Sequence, residues 1–190
     1  KFTPFEGTGF GLDVAHTERA EARVRAVRDA VGSAVGIAID AHGLLNPVNA
    51  VAMARRLAPY GILFYEEPIL PESAAALADV RRRIDIPVAT GENLYSRHDF
   101  ARFLRRGAVD IIQPDLRRAG GPTMLLQIGL MADCFRIPYA SHGGGPVQLN
   151  VMACLGNAIY LETGLIPDGS PMRIEDGKVS VPDGPGFSWG

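Results

Sequence analysis

The chain has 190 residues, with 19 Lys and Arg against 21 Asp and Glu, a net charge of −2. Apolar residues make up 47% and charged residues 21%, the balance of a globular domain with its own core. So even a balance argues against a nucleic-acid surface, which needs clustered cations to meet phosphates.

Short β-rich runs alternate with amphipathic patterns along the chain. Residues 1–5 read as a strand. A helix over 17–31 follows, with Thr17 as its cap and Ala20, Val24, Val27 and Val31 at helical spacing. Residues 35–40 form the next strand, and 47–57 a helix with Pro47 in its first turn. Strands over 62–66, 86–90, 109–113, 137–140 and 159–162 then alternate with helices over 72–84, 96–106, 122–135 and 147–157. The three arginines Arg81 to Arg83 fall in a helical pattern and read as a solvated face. Residues 164–190 are rich in Gly, Pro and Asp and read as mostly irregular, with a short strand near 178–181.

This order predicts α/β architecture, a parallel sheet with helices outside it. It is compatible with an open doubly wound sheet or a (β/α) barrel. No Gly-rich phosphate loop follows any strand, which counts against a nucleotide-binding sheet. Seven strands are one short of a barrel, so the expectation is that the first lies upstream of Lys1. The opening Lys1-Phe2-Thr3-Pro4-Phe5 lacks the apolar core of a signal peptide. The apolar stretch 124–135 is broken by Gln127 and Asp133 and is too short to span a bilayer. Cys134 and Cys154, the two cysteines, lie in apolar surroundings. They are expected to be buried free thiols, in a reducing cytoplasm.

Ionisable residues recur in phase with the strands. Asp40, Glu66 and Glu92 each close a β run, and each is 26 residues from the next. One βα unit per acid sets three carboxylates at the same end of three successive strands. In a barrel that end is the active-site mouth. Converging carboxylates repel, and a hard divalent cation such as Mg2+ resolves the repulsion. Taken singly, each acid reads as a cap or a solvated loop residue. The phase continues with Asp115, His142 and Glu162. A carboxylate on one imidazole nitrogen fixes the tautomer and raises basicity at the other, so Asp115 and His142 make a candidate base. His42, two residues past Asp40, reads as a loop histidine, a fourth ligand or a general acid.

The motifs Asp40-Ala41-His42-Gly43, Tyr65-Glu66-Glu67-Pro68 and Thr90-Gly91-Glu92-Asn93 resemble the three metal-ligand motifs of the mandelate racemase branch of the enolase superfamily. Gln113-Pro114-Asp115 with Gly120-Gly121, Ser141-His142 and the ending Val181-Pro182-Asp183-Gly184-Pro185-Gly186 are similar as well. The resemblance implies a TIM-like (β/α)7β barrel, here without its first strand and its N-terminal capping domain. Residues 1–163 would be the barrel from about the second strand, and 164–190 a segment returning to the capping domain. It implies Mg2+ on Asp40, Glu66 and Glu92, and removal of the proton α to a carboxylate by His142 paired with Asp115.

His42 followed by Gly43 resembles the acid-sugar dehydratases of the galactonate dehydratase type. His42 would protonate a departing β-hydroxyl to give a 2-keto-3-deoxy acid. Glu162, Asn93 and His42 would contact the substrate. Glu67 would point away from the ligands. Lys1 could belong to a Lys-x-Lys pair, which leaves a racemase, epimerase or lactonising enzyme as the alternative. A non-catalytic barrel with a remnant binding site is the alternative of another class. The expected partners are a small sugar acid and further copies of the chain, with no nucleic acid or membrane.

Overall fold

The computed structural model describes residues 1–5, 12–164, 172–181 and 186–187. The chain divides into two compact units, Lys1–Thr90 with Arg102–Ile111, and Gly91–Ala101 with Ile112–Gly190.

The first unit runs α1 (Val14–Val31), β1 (Ile37–Asp40), α2 (Pro47–Leu57), a 3-10 turn (Ala58–Tyr60), β2 (Ile62–Glu66), α3 (Ala74–Arg82) and β3 (Val88–Thr90). β1, β2 and β3 are parallel neighbours in chain order, with Asp40 opposite Glu66 and Glu66 opposite Ala89. All four residues of β1 are buried, as expected of a parallel strand covered on both faces. Its helices are set by local chemistry. α2 starts where the sequence predicts, because the Asn46 side chain accepts from the Asn49 N–H and Pro47 stands where no N–H is needed. α1 starts earlier than predicted: its cap is Asp13, whose Oδ1 accepts from His16 N at 2.7 Å, and not Thr17. Ala20 and Val24 of the predicted stripe are buried, whereas Val31 is exposed.

Two further expectations are corrected here. Residues 1–5 form no full strand; Phe2 alone bridges to Ile39, giving Phe2 N to Ala38 O and receiving Asp40 N at 3.0 Å. The arginine run is not uniformly solvated. Arg81 donates from Nε and Nη2 to Asp110 Oδ1 at 2.9 and 2.5 Å, while Asp110 Oδ2 accepts from Val88 N. That ion pair staples α3 to the start of β3 and lowers the cost of half-burying Asp110. Arg82 and Arg83 pair with Asp79 on the outer face, as expected.

The second unit holds α5 (Pro122–Cys134), β5 (Tyr139–Ala140), α6 (Pro146–Ala153) and β6 (Ala158–Tyr160). The strand β4 (Ile111–Ile112) enters it through Ile112, opposite Tyr139, and β5 pairs in parallel with β6. The predicted strand over 109–113 thus shortens to two residues. Helix α4 (Arg97–Arg106) opens on a reciprocal cap: Ser96 N and Oγ donate to Asp99 Oδ2, and Asp99 N donates to Ser96 Oγ. Beyond β6, β7 (Ile174–Glu175) and β8 (Lys178–Val179) form an antiparallel hairpin. Its turn residues Asp176 and Gly177 both have positive φ, 48° and 72°, the type I′ requirement. Only its second strand was expected. The similarity seen at 182–185 lies outside the described residues.

Cys134 and Cys154 are free, as expected, but exposed. Both close helices, where each Sγ meets the carbonyl four residues back at 3.4 Å. Among the described residues no helix is long and apolar enough to cross a membrane.

Gly91 is demanded by packing. Gly91 has φ 150°, and a Cβ there would stand 2.7 to 2.8 Å from the backbone of Gln113. The Gly91→Ala chain should therefore lose on the order of 2 kcal/mol or more, since backbone cannot yield as a side-chain tip can. Urea unfolding of the two proteins measures this; equal midpoints would show the contact to be relaxed.

Candidate active site

In the first unit, β1 and β2 each end on an acid. Their parallel register brings Asp40 level with Glu66, and both side chains are almost fully buried, at 5% and 1% exposure. Two such charges need compensation. The Lys1 ammonium supplies it here, with Nζ 2.7 Å from Glu66 Oε1 and 3.4 Å from Asp40 Oδ2. A cation between two buried carboxylates is what the oxygen-rich donor set calls for, so these residues fit a hard metal ion. Lys1, by sequence a candidate member of a Lys-x-Lys pair, lies against Asp40 and Glu66.

His42 turns back on Asp40. Its backbone N–H donates to Oδ1 at 2.9 Å, and its ring Nε2 lies 3.2 Å from Oδ2. This takes a positive φ of 48°, uncommon for a residue with a Cβ and costly by about 1 kcal/mol. The ring is half exposed, at 51%. Glu67 points elsewhere, as alternation along the strand predicts. It is buried and accepts from Thr90 Oγ1 at 2.6 Å.

The second unit brings together Glu92, Asn93, Asp115, His142 and Glu162. A parallel bridge sets Asp115 beside His142 just past β4 and β5. His142 Nδ1 lies 3.0 Å from Asp115 Oδ2, and Nε2 lies 2.6 Å from Glu92 Oε2. Asp115 Oδ1 accepts the backbone N–H groups of Arg117 and Arg118, each at 2.8 Å. Partial burial works against ionised Asp115, but the Arg118 N–H, the His142 ring and the Arg117 N–H together hold its carboxyl below the usual range. The Glu92 hydrogen bond is the main force raising the His142 pKa to about 9; burial opposes it and the Asp115 bond adds to it. Asp115 therefore orients the ring through Nδ1, which turns Nε2 to Glu92.

Glu162 Oε2 accepts Gly143 N at 2.5 Å, and the Glu162 N–H donates to Ser141 Oγ at 2.7 Å. Gly144 has a packing reason to be glycine. A Cβ at Gly144 would stand 2.3 Å from the carbonyl oxygen of Glu162. Only glycine lets the loop after β5 pass that close to Glu162.

The predicted site residues thus fall into two groups, Lys1, Asp40, His42 and Glu66 in one unit and the remaining five in the other. Sequence reasoning missed the Glu92–His142 contact. It also missed Arg118, whose guanidinium donates to Glu92 O at 3.1 Å and to Asn93 Oδ1. The signal available was a cation three residues after a mouth acid.

The chain matches the enolase C-terminal domain-like family over residues 1–189, and it belongs to that family. Its parallel α/β order is that of the family's barrel domain, on the mandelate racemase and muconate lactonizing enzyme side. It is 40% identical over 139 residues to the D-galactonate dehydratase of Ralstonia pickettii, covering 73% of this chain and 36% of the relative. It is 35% identical over 202 residues to the D-gluconate dehydratase of Thermoproteus tenax, covering 98% of this chain and 40% of the relative. The chain thus spans less than half the length of these curated relatives. Among solved structures it is similar to an enolase from Bradyrhizobium complexed with magnesium and mandelic acid. The identity is 32% and the TM-score 0.83, over 90% of this chain and 48% of that one.

The raised His142 pKa has a sign that can be measured. A folded-state value near 9 against an ordinary 6.5 means the protonated ring stabilises the fold. That contribution is complete below about pH 6.5 and is lost as pH climbs through about 9. In EDTA, wild type should lose stability relative to His142→Gln across that window. Parallel pH–stability curves would show that the Glu92–His142 pair contributes nothing.

Proposed function

We propose that this chain carries the metal-binding and proton-abstracting machinery of a Mg2+-dependent sugar-acid dehydratase. The observation that carries the reading is the Asp115–His142 pair, an imidazole fixed through Nδ1 by a carboxylate just past neighbouring parallel strands. The dehydratase names of its relatives support it.

The residues divide the work as follows. His142 Nε2, when neutral, takes the proton from the carbon α to the substrate carboxylate, and Asp115 stabilises the imidazolium that results. His42 as imidazolium gives its proton to the β-hydroxyl. The C–O bond breaks, water departs, and the enol tautomerises to a 2-keto-3-deoxy acid. His42 suits this role because its Nε2 lies 3.2 Å from Asp40 Oδ2 while half the side chain reaches solvent. Glu162 and Asn93 contact the substrate. Asp40, Glu66 and Glu92 are the metal ligands, an assignment supported by their in-phase spacing and by the family. A bound divalent cation supplies positive charge against the second negative charge that grows on the substrate carboxylate.

A screen of aldonic and aldaric acids with the full chain should yield a 2-keto-3-deoxy product. His142→Asn should abolish α-proton exchange with D2O, which NMR follows. His42→Asn should keep that exchange and lose dehydration; loss of both would sink the divided roles. Exchange with no keto product from any acid would favour a racemase or epimerase, and no exchange at all a non-catalytic barrel.

A further inference from the structure

Arg118 stands in the second unit with one end on each of two acids. Its backbone N–H donates to Asp115 Oδ1 at 2.8 Å. Its guanidinium donates to the carbonyl of Glu92 at 3.1 Å and to Asn93 Oδ1, and passes 3.9 Å from Glu92 Oε1. Asn93 in turn donates from Nδ2 to Glu92 Oε1 at 3.0 Å. The donor and acceptor chemistry leaves one sense for this relay. A guanidinium can only donate, so the amide oxygen of Asn93 must face Arg118 and its NH2 group must face Glu92. Glu92 is thereby gripped at its carbonyl and at Oε1, while Oε2 is turned to His142.

We propose that Arg118 is a positioning residue that aims the Glu92 carboxylate through Asn93 and ties it to Asp115. The inference rests on the reading of Glu92 as a cation ligand and adds a residue which that reading does not contain. Side chains that orient a ligand matter because a carboxylate free to rotate loses affinity when it must be ordered on binding. Outer partners of this kind are worth about 10- to 100-fold in metal affinity.

The sign of the effect separates positioning from charge alone. A positive charge 3.9 Å from Glu92 Oε1 opposes a second cation, so if only charge mattered its removal would tighten metal binding. Positioning predicts the reverse.

Mn2+ titration followed by EPR on the full chain tests this without reference to turnover. Wild type should bind one Mn2+ tightly, and Glu92→Gln marks the loss of the ligand itself. Arg118→Met should bind about 10- to 100-fold more weakly. Asn93→Ala should weaken binding too, and the double variant should be no weaker than the worse single one, because both act along one path. Unchanged or tighter binding by Arg118→Met, or single effects that multiply, would overturn the inference while leaving the metal reading intact. Failure of wild type to bind Mn2+ would overturn the metal reading and this inference with it. If circular dichroism shows Arg118→Met to be unfolded, Arg118→Lys takes its place in the cycle. It keeps the charge but lacks the guanidinium's planar reach, and it should also bind more weakly; wild-type affinity would overturn the inference.

Discussion

Two carboxylates lying level at the ends of β1 and β2, nearly sealed from water, can be ionised together only beside positive charge. That constraint follows from register: parallel pairing sets Asp40 opposite Glu66, and the strands leave neither side chain a way to solvent. Lys1 reaches both, and His42 accepts a strained backbone to place its N–H and its ring against Asp40. The second unit answers the same problem differently. There an imidazole stands between two acids, with Nδ1 against Asp115 and Nε2 against Glu92. In each unit, acids at strand ends recruit cationic side chains.

What supports these side chains is mostly backbone. Asp115 is oriented by two N–H groups of the loop that follows it, Glu162 by the N–H of Gly143, and Asp40 by the N–H of His42. Loops can do this only where the chain turns tightly, and two glycines mark close approaches to backbone. Gly91 passes the backbone of Gln113, and Gly144 passes the carbonyl of Glu162. Precision at the functional groups therefore depends on positions without side chains of their own.

Much of the architecture was readable from local chemistry. α2 was placed to the residue by Pro47 in its first turn, and Asn46 caps it. Helix α4 was placed to within one residue of its start, although the reciprocal Ser96–Asp99 cap was not part of the reading. Errors arose where a weaker signal was preferred or a contact lay far away in sequence. Thr17 reads as a cap from sequence, but the Asp13 carboxylate satisfies the His16 N–H and caps the helix four residues earlier. The strand at 1–5 shrank to one bridge because extended propensity does not supply a partner along the whole run. The cysteines were expected inside from their apolar neighbours, but helix periodicity turns both outward at the last turn. The hairpin's first strand was missed despite Asp176-Gly177, a strong turn signal.

By itself the sequence determined the alternation of strand and helix, the phase of the acids, and the pairing of Asp115 with His142. Each of these depends on periodicity and spacing, which the order of residues contains. Only the tertiary structure decided which oxygen meets which nitrogen. Lys1 between Asp40 and Glu66, Glu92 on the far nitrogen of His142, and Arg118 on Asn93 join residues tens of positions apart. Such contacts depend on strand register and loop curvature, quantities set by packing the whole unit and written in no single stretch of the chain.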